Sequence, residues 1–259
     1  MFKKIYNKFF FIIKIFFNKN FFFKFAKSQN KNQENNFLKK ISKNIKNKNF
    51  IEIGFHNTEF NCIGLIEKNF SGLLIDSGRI SNIILMKLIL NIIGKNKVKV
   101  KHLHIEKKNL KKIFHSYPNV GCLSIDIDGN DFWIVKKILE IKVRPEVFIV
   151  EYNASFLDFP YTVPYDKNYE RYKKHKSGLY HGASLKAFEK LFKKYNYKLI
   201  RVIGGVNAVF SSPTVIKKNN LKILNANSEY AEGKIRNTIY KQNAKKQFQV
   251  IKHLKLIKI

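Results

Sequence analysis

Cys122-Leu123-Ser124-Ile125-Asp126-Ile127-Asp128 is an apolar run of strand character that delivers two carboxylates at its end. Acids are scarce in this chain, 18 Asp+Glu against 50 Lys+Arg, so their placement carries information. The neighbouring apolar runs follow the same rule. Phe50-Ile51-Glu52-Ile53-Gly54 holds Glu52, and Gly72-Leu73-Leu74-Ile75-Asp76 closes on Asp76. Val100-Lys101-His102-Leu103-His104-Ile105 is followed by Glu106, and Val147-Phe148-Ile149-Val150-Glu151 ends on Glu151. Helix-like segments separate most of these runs, which predicts parallel strands. Parallel strands joined by right-handed crossovers turn their carboxyl ends to one edge, where open α/β sheets bind ligands. Acids gathered there suit a ligand with hydroxyls, amines or positive charge.

The surrounding segments complete an α/β pattern. Helices are expected over residues 59–68, 81–93, 109–115, 131–141 and 184–195. Asp131 falls in a first turn, where the macrodipole favours an acid. Ser184 is placed to cap the last of these helices. Residues 152–179 lack sustained periodicity and carry Pro160 and Pro164; a long irregular stretch after a strand commonly shapes a site or a lid. Strands over 198–203 and 206–210, separated by Gly204-Gly205, predict a hairpin and an antiparallel strand at the end of the sheet.

The tails differ in character. Residues 1–49 hold thirteen lysines and one glutamate, with phenylalanine-rich clusters. Lys14, Lys19 and Lys24 interrupt the apolar stretch too often for a membrane span. Phe and Lys suit a lipid boundary, so residues 1–27 are a candidate peripheral membrane contact; a disordered or packed leader is the alternative. Gln29–Asn36 is read as a polar linker and residues 213–259 as a basic, partly helical tail.

The formal charge is +32. Nucleic acid is one reading of that excess, but the basic residues are spread through the chain rather than concentrated on a face. Lys, Asn, Ile and Phe all have A/T-rich codons, and a biased source genome accounts for the composition without a binding role. Ordinary Lys and Asn contents in unrelated proteins of the same source would refute that. Cys62 and Cys122 lie in no metal-binding pattern and read as core residues, consistent with a reducing cytoplasm.

Five parallel βα units, one helix and a terminal hairpin resemble the class I S-adenosylmethionine-dependent methyltransferase fold. Leu123-Ser124-Ile125-Asp126-Ile127-Asp128-Gly129-Asn130-Asp131-Phe132-Trp133 and Ile149-Val150-Glu151-Tyr152-Asn153-Ala154 resemble motifs of FkbM-type methyltransferase-like proteins. So do Thr162-Val163-Pro164-Tyr165-Asp166, His181-Gly182-Ala183-Ser184-Leu185 and Gly205-Val206-Asn207-Ala208. The resemblance covers residues 48–212. It implies a Rossmann-like, mostly parallel seven-stranded sheet with an antiparallel terminal hairpin and helices on both faces. It also implies S-adenosyl-L-methionine as cofactor and methyl transfer to a hydroxylated small molecule or glycan.

Under that resemblance Asp76 accepts hydrogen bonds from the ribose hydroxyls, and an ionised acceptor makes these strong. Glu52 holds the first loop and faces the methionine amine, Gly54 lets the backbone approach the cofactor, and Glu106 lies near the adenine amine. Asp128 is the first candidate for base or acceptor orienter and Asp126 the second, on opposite sides of the strand. Glu151, Asn153 and His181 are candidate substrate-binding residues, with His181 either a second proton carrier or a satisfied histidine at a helix start. Asp128, Glu151 and Asn153 are also oxygen ligands of the kind magnesium uses; direct binding of substrate hydroxyls is the alternative, and the metal stays open. The first loop departs from the family pattern. Gly54-Phe55-His56-Asn57-Thr58-Glu59 puts His56 where a glycine is expected. A non-catalytic binding module docking through its basic surface or leader is therefore the alternative to an enzyme.

Overall fold

The computed structural model describes residues 2–259, with side chains for all of these except 2–9, 29 and 31. The chain forms two compact units: residues up to 43 with 48–104, and residues 44–47 with 105–259.

The first unit is built on three parallel strands, β1 (Asn49–Ile53), β2 (Ser71–Asp76) and β3 (Val98–His102). The registers Ile53↔Ile75 and Asp76↔His102 bring their carboxyl ends level. β1 and β2 are almost wholly buried on both faces, as parallel strands covered on both sides must be, and apart from Glu52 their buried side chains are apolar. β3 alternates, with Val98 and Val100 buried and Lys99 and Lys101 exposed. That period of two marks a half-solvated strand, and lysines suit a sheet edge.

The leader is folded into this unit. α1 (Phe2–Phe17), α2 (Asn20–Phe25) and α3 (Gln29–Ile41) precede β1. Ile15, Phe22, Ala26, Leu38 and Ile41 are buried. The segment 29–36, expected as a linker, is the start of α3, because Phe37, Leu38 and Ile41 give that helix an apolar side to bury. No helix of the described residues is long and apolar enough to cross a membrane. Two more helices complete the unit, α4 (Ile63–Glu67) and α5 (Ile80–Ile92). α4 begins later than the predicted residue 59 for a physical reason. His56 and Glu59 exchange backbone hydrogen bonds at 3.1 Å, and Lys27 of the leader bonds to Thr58 and Phe60 at 2.9 and 3.1 Å. Backbone groups spent in that turn are not free for a helix.

The second unit starts with α6 (Leu110–His115), β4 (Cys122–Ile125), α7 (Asp131–Glu140) and β5 (Val147–Glu151). β4 and β5 are parallel, with Ile125 opposite Val150. The irregular stretch then holds only β6 (Tyr161–Thr162) and α8 (Arg171–Lys174). α9 (Leu185–Lys193) is capped by Ser184, whose Oγ accepts from the Ala187 N–H at 3.0 Å. Its buried face, with Phe188 and Phe192, packs on Phe148 and Phe210 of the sheet. β7 (Lys198–Ile203) and β8 (Asn207–Ser211) form the hairpin around Gly204-Gly205. β8 pairs antiparallel to both β5 and β7, so the antiparallel strand is inserted rather than placed at the sheet's end.

Residues 213–259 are not a detached tail. They form α10 (Pro213–Asn219), α11 (Ala226–Glu229), α12 (Lys234–Tyr240), α13 (Ala244–Ile251) and β9 (Ile257–Lys258), which pairs with β6. Ile251 joins Phe156, Val163 and Leu179 in one buried cluster, and Gln247 accepts from the Ser155 hydroxyl at 2.7 Å. The strand order is β3-β2-β1-β4-β5-β8-β7, the mostly parallel seven-stranded sheet with an antiparallel hairpin that the sequence predicts.

Candidate active site

In the first unit the end of β1 turns at Gly54, whose φ of +83° is left-handed backbone that favours glycine. Its N–H donates to the Ile75 carbonyl at 2.8 Å, which ties the turn to β2. Asp76 follows at the end of β2. One of its oxygens accepts from the Gly78 N–H at 2.5 Å; the other is 3.4 Å from the Phe55 N–H. An ionised carboxylate has about four acceptor sites, so these bonds leave Asp76 capacity for a ligand's hydroxyls.

Glu52 takes a narrower role than the sequence suggested. It is buried, and its two oxygens accept from the backbone N–H groups of Asn61 and Cys62 at 2.6 and 2.8 Å. The carboxylate fixes the loop before α4 from inside and does not face a ligand amine. Burial pushes it up to about 7, against the pull of those two N–H bonds.

The loop after β4 is organised by Asp131, which the sequence reading placed only in a helix turn. Its buried carboxylate accepts from the N–H groups of Ile127 and Gly129 at 2.8 and 2.9 Å. Burial raises it to about 6; the backbone hydrogen bonds oppose the rise and the charge of Asp128 adds to it. Asp128 sits at the crest of this loop with φ +56°, 60% exposed at the side chain. Its Oδ1 accepts from Arg171 Nη1 at 2.5 Å. Gly129 is required by contact: a Cβ there would collide with the Tyr169 ring. Asn130 clamps the loop to the irregular stretch, donating to the Asp166 carbonyl at 2.6 Å and accepting from the Asp166 N–H at 3.2 Å.

Beside this loop β5 delivers Glu151 and then Asn153. Glu151 is buried, and burial raises its pKa; the charge of Asp128 adds to the rise, and Arg236 opposes it. Its Oε1 faces Arg236 Nη2 at 3.5 Å and its Oε2 faces His181 Nδ1 at 3.7 Å. Asn153 is a structural hub. Its amide donates to the carbonyls of Leu179 and His181, and its oxygen accepts from Ser155 N–H and Arg236 Nη1. With its oxygen so used, Asn153 is a positioning residue rather than a ligand for substrate or metal. His181 is 1% exposed, and neither ring nitrogen has a hydrogen-bond partner. It is therefore not a satisfied histidine at a helix start. Burial holds its pKa well below the ordinary value, and the charges of Arg236 and Arg171 deepen the shift.

Asp128, Glu151 and His181 thus converge, each offering one ligand atom, all within 4.8 Å of one another. Asp126 is half-buried and directly follows β4. Glu106 lies apart from this cluster in its bonding. It pairs with Lys108 at 3.1 Å, and its N–H donates to Asn109. Arg171 and Arg236 are the residues sequence reasoning missed. A signal existed: arginine occurs only five times among the 50 basic residues, and a guanidinium suits buried carboxylates better than an ammonium.

No protein-family model matches the chain, and no curated protein matches it. Solved structures with a similar trace include an O-methyltransferase from Bacillus cereus in complex with SAH, at 14% identity and TM-score 0.49, covering 78% of this chain and 90% of that one. The N-terminal domain of EvdMO1 with SAH bound is similar at 9% identity and TM-score 0.45, covering 70% and 79%. A SAM-dependent methyltransferase from Geobacter sulfurreducens in complex with S-adenosyl-L-homocysteine is similar at 14% identity and TM-score 0.41, covering 65% of each chain. The strand order by itself defines a Rossmann-like α/β protein, with a glycine turn and an acid at the carboxyl ends of β1 and β2.

Proposed function

We propose that the chain is an S-adenosylmethionine-dependent methyltransferase of FkbM-like type, acting on a hydroxyl of a small molecule or glycan. The observation that carries the reading is the Gly54–Asp76 corner: a left-handed glycine bonded to β2 and an acid with unused acceptor capacity. S-adenosylmethionine carries two ribose hydroxyls that match that capacity. The FkbM-like motif after β4 builds the second part of the reading. Asp128 is the exposed carboxylate there, and its role is to orient the acceptor or take its proton. Arg171 holds it in place, and Glu151 and His181 lie beside it. In this reading Asp126 is the second candidate for that role, and Glu106 lies near the adenine amine.

Equilibrium binding of S-adenosylmethionine tests this. Wild type binds with saturation, and Asp76→Ala weakens binding at least ~tenfold, the worth of one charge-assisted hydrogen bond or more. No binding at millimolar cofactor would replace the enzyme reading with the non-catalytic module.

A second reading concerns the leader. Phe16 and Phe17 are 66% and 82% exposed, and Phe10 and Phe25 also face solvent, among lysines. A cleft of ≈ 470 Å³ lined by Phe11, Phe21, Phe25, His56 and Leu85 opens on the same unit. Apolar rings interleaved with cations suit an anionic lipid surface. Co-sedimentation with vesicles containing phosphatidylserine, lost in Phe16→Ser/Phe17→Ser, supports that contact; equal sedimentation with neutral vesicles refutes it.

A further inference from the structure

We propose that Asp128, Glu151 and His181 form a binding site for a divalent first-row transition cation. The argument starts from His181. A buried imidazole normally spends at least one ring nitrogen on a hydrogen bond, since an unpaired buried polar group is costly. Here both nitrogens are unpartnered in a residue that is 1% exposed, and Nδ1 points to Glu151 Oε2 at 3.7 Å. A neutral imidazole aimed at a carboxylate without bonding to it is what a metal ligand looks like when the ligands stand slightly apart. Two ligand atoms sharing an ion at about 2.1 Å lie about 3.0 Å apart in an octahedron and 3.4 Å in a tetrahedron. The 3.7 Å separation is close to the second value, and the 4.8 Å bound on the whole set requires a contraction of no more than about 1.4 Å for a tetrahedron or about 1.8 Å for an octahedron. Asp128 can supply it, being exposed and held through one oxygen by Arg171.

The carboxylates are divided between two tasks. Arg171 takes Oδ1 of Asp128 and Arg236 faces Oε1 of Glu151, which leaves Oδ2 and Oε2 for an ion. The same two guanidinium groups offset the carboxylate charge, so binding is weaker than at a site of bare acids. One imidazole nitrogen with two carboxylate oxygens suits manganese, iron, cobalt or zinc better than calcium or magnesium. Asn153, the third oxygen that the sequence offered for magnesium, is excluded because its carbonyl is already bonded twice. An ion held by three protein ligands keeps open positions. Two neighbouring oxygens of a polyhydroxyl acceptor could fill them, a use that rests on the methyl-transfer reading, although the binding itself does not.

The test uses the full chain without cofactor, titrated with Mn²⁺ and followed by electron paramagnetic resonance. Wild type takes up one ion with saturation. Asp128→Gly removes a ligand at an exposed position whose positive φ glycine adopts freely, and His181→Phe replaces the buried ring with an apolar one of similar size. Each variant weakens Mn²⁺ binding at least ~tenfold. Absence of saturable binding up to about 1 mM Mn²⁺, or undiminished binding in either variant, overturns the site. Failure of the cofactor reading appears elsewhere, in S-adenosylmethionine binding that ignores Asp76→Ala.

Discussion

Glu52 offers the sharpest prediction about stability. Its carboxyl is wholly enclosed and raised from 4.5 to about 7, mainly by burial. A carboxyl raised on folding binds its proton more tightly in the native state than in the unfolded chain. Its contribution is therefore complete below pH 4.5 and declines as pH rises to about 7. At 1.36 kcal/mol per unit, that shift corresponds to about 3 kcal/mol. Urea unfolding from pH 4.5 to 8, on wild type and Glu52→Gln, isolates the effect from the background of other charges. The stability advantage of wild type shrinks by about 3 kcal/mol across that range. An advantage that stays constant or grows with pH would show that the Asn61 and Cys62 N–H bonds outweigh burial, and the reasoning would fail.

Three other substitutions test the second unit. Gly129→Ala destabilises by about 2 kcal/mol through the clash with Tyr169; in a Tyr169→Ala background the added methyl costs only a few tenths. Equal costs in the two backgrounds, read from denaturant midpoints, would place the strain elsewhere. Arg236→Met leaves the Glu151 carboxylate buried without its cation and lowers stability by about 3 kcal/mol. Because the Glu151 pKa is raised, the loss is larger above pH 8 than at pH 5; a loss independent of pH contradicts the pairing. Ser184→Ala removes the cap of α9 and its second bond, from the Tyr161 N–H, for about 1–2 kcal/mol in thermal unfolding; a change below a few tenths would refute the cap.

The parallel strands and their terminal acids were legible because both are local. A five-residue apolar run ending in an acid, repeated with helices between, leaves few topologies. What an acid does at the strand end is not local. Glu52 and Asp76 look alike in sequence, yet one is closed on by Asn61 and Cys62 and the other keeps open acceptor sites. Asp131 resembled a helix-dipole partner, and its inward turn onto Ile127 and Gly129 depends on the whole loop. Arg236 lies 85 residues beyond Glu151 in a segment that read as a tail, so no motif could join them. His181 carried the opposite lesson. Its position at a helix start is where a histidine is ordinarily hydrogen-bonded, and only the missing bonds set it apart.

A crystal structure of the chain with S-adenosylhomocysteine measures the central claim most directly. The account predicts both ribose hydroxyls within about 2.5–3.0 Å of Asp76 carboxylate oxygens, with the Gly54 turn against the ligand. A nucleoside bound away from Asp76, or a Gly54–Asp76 corner that stays empty at saturating ligand, would contradict it.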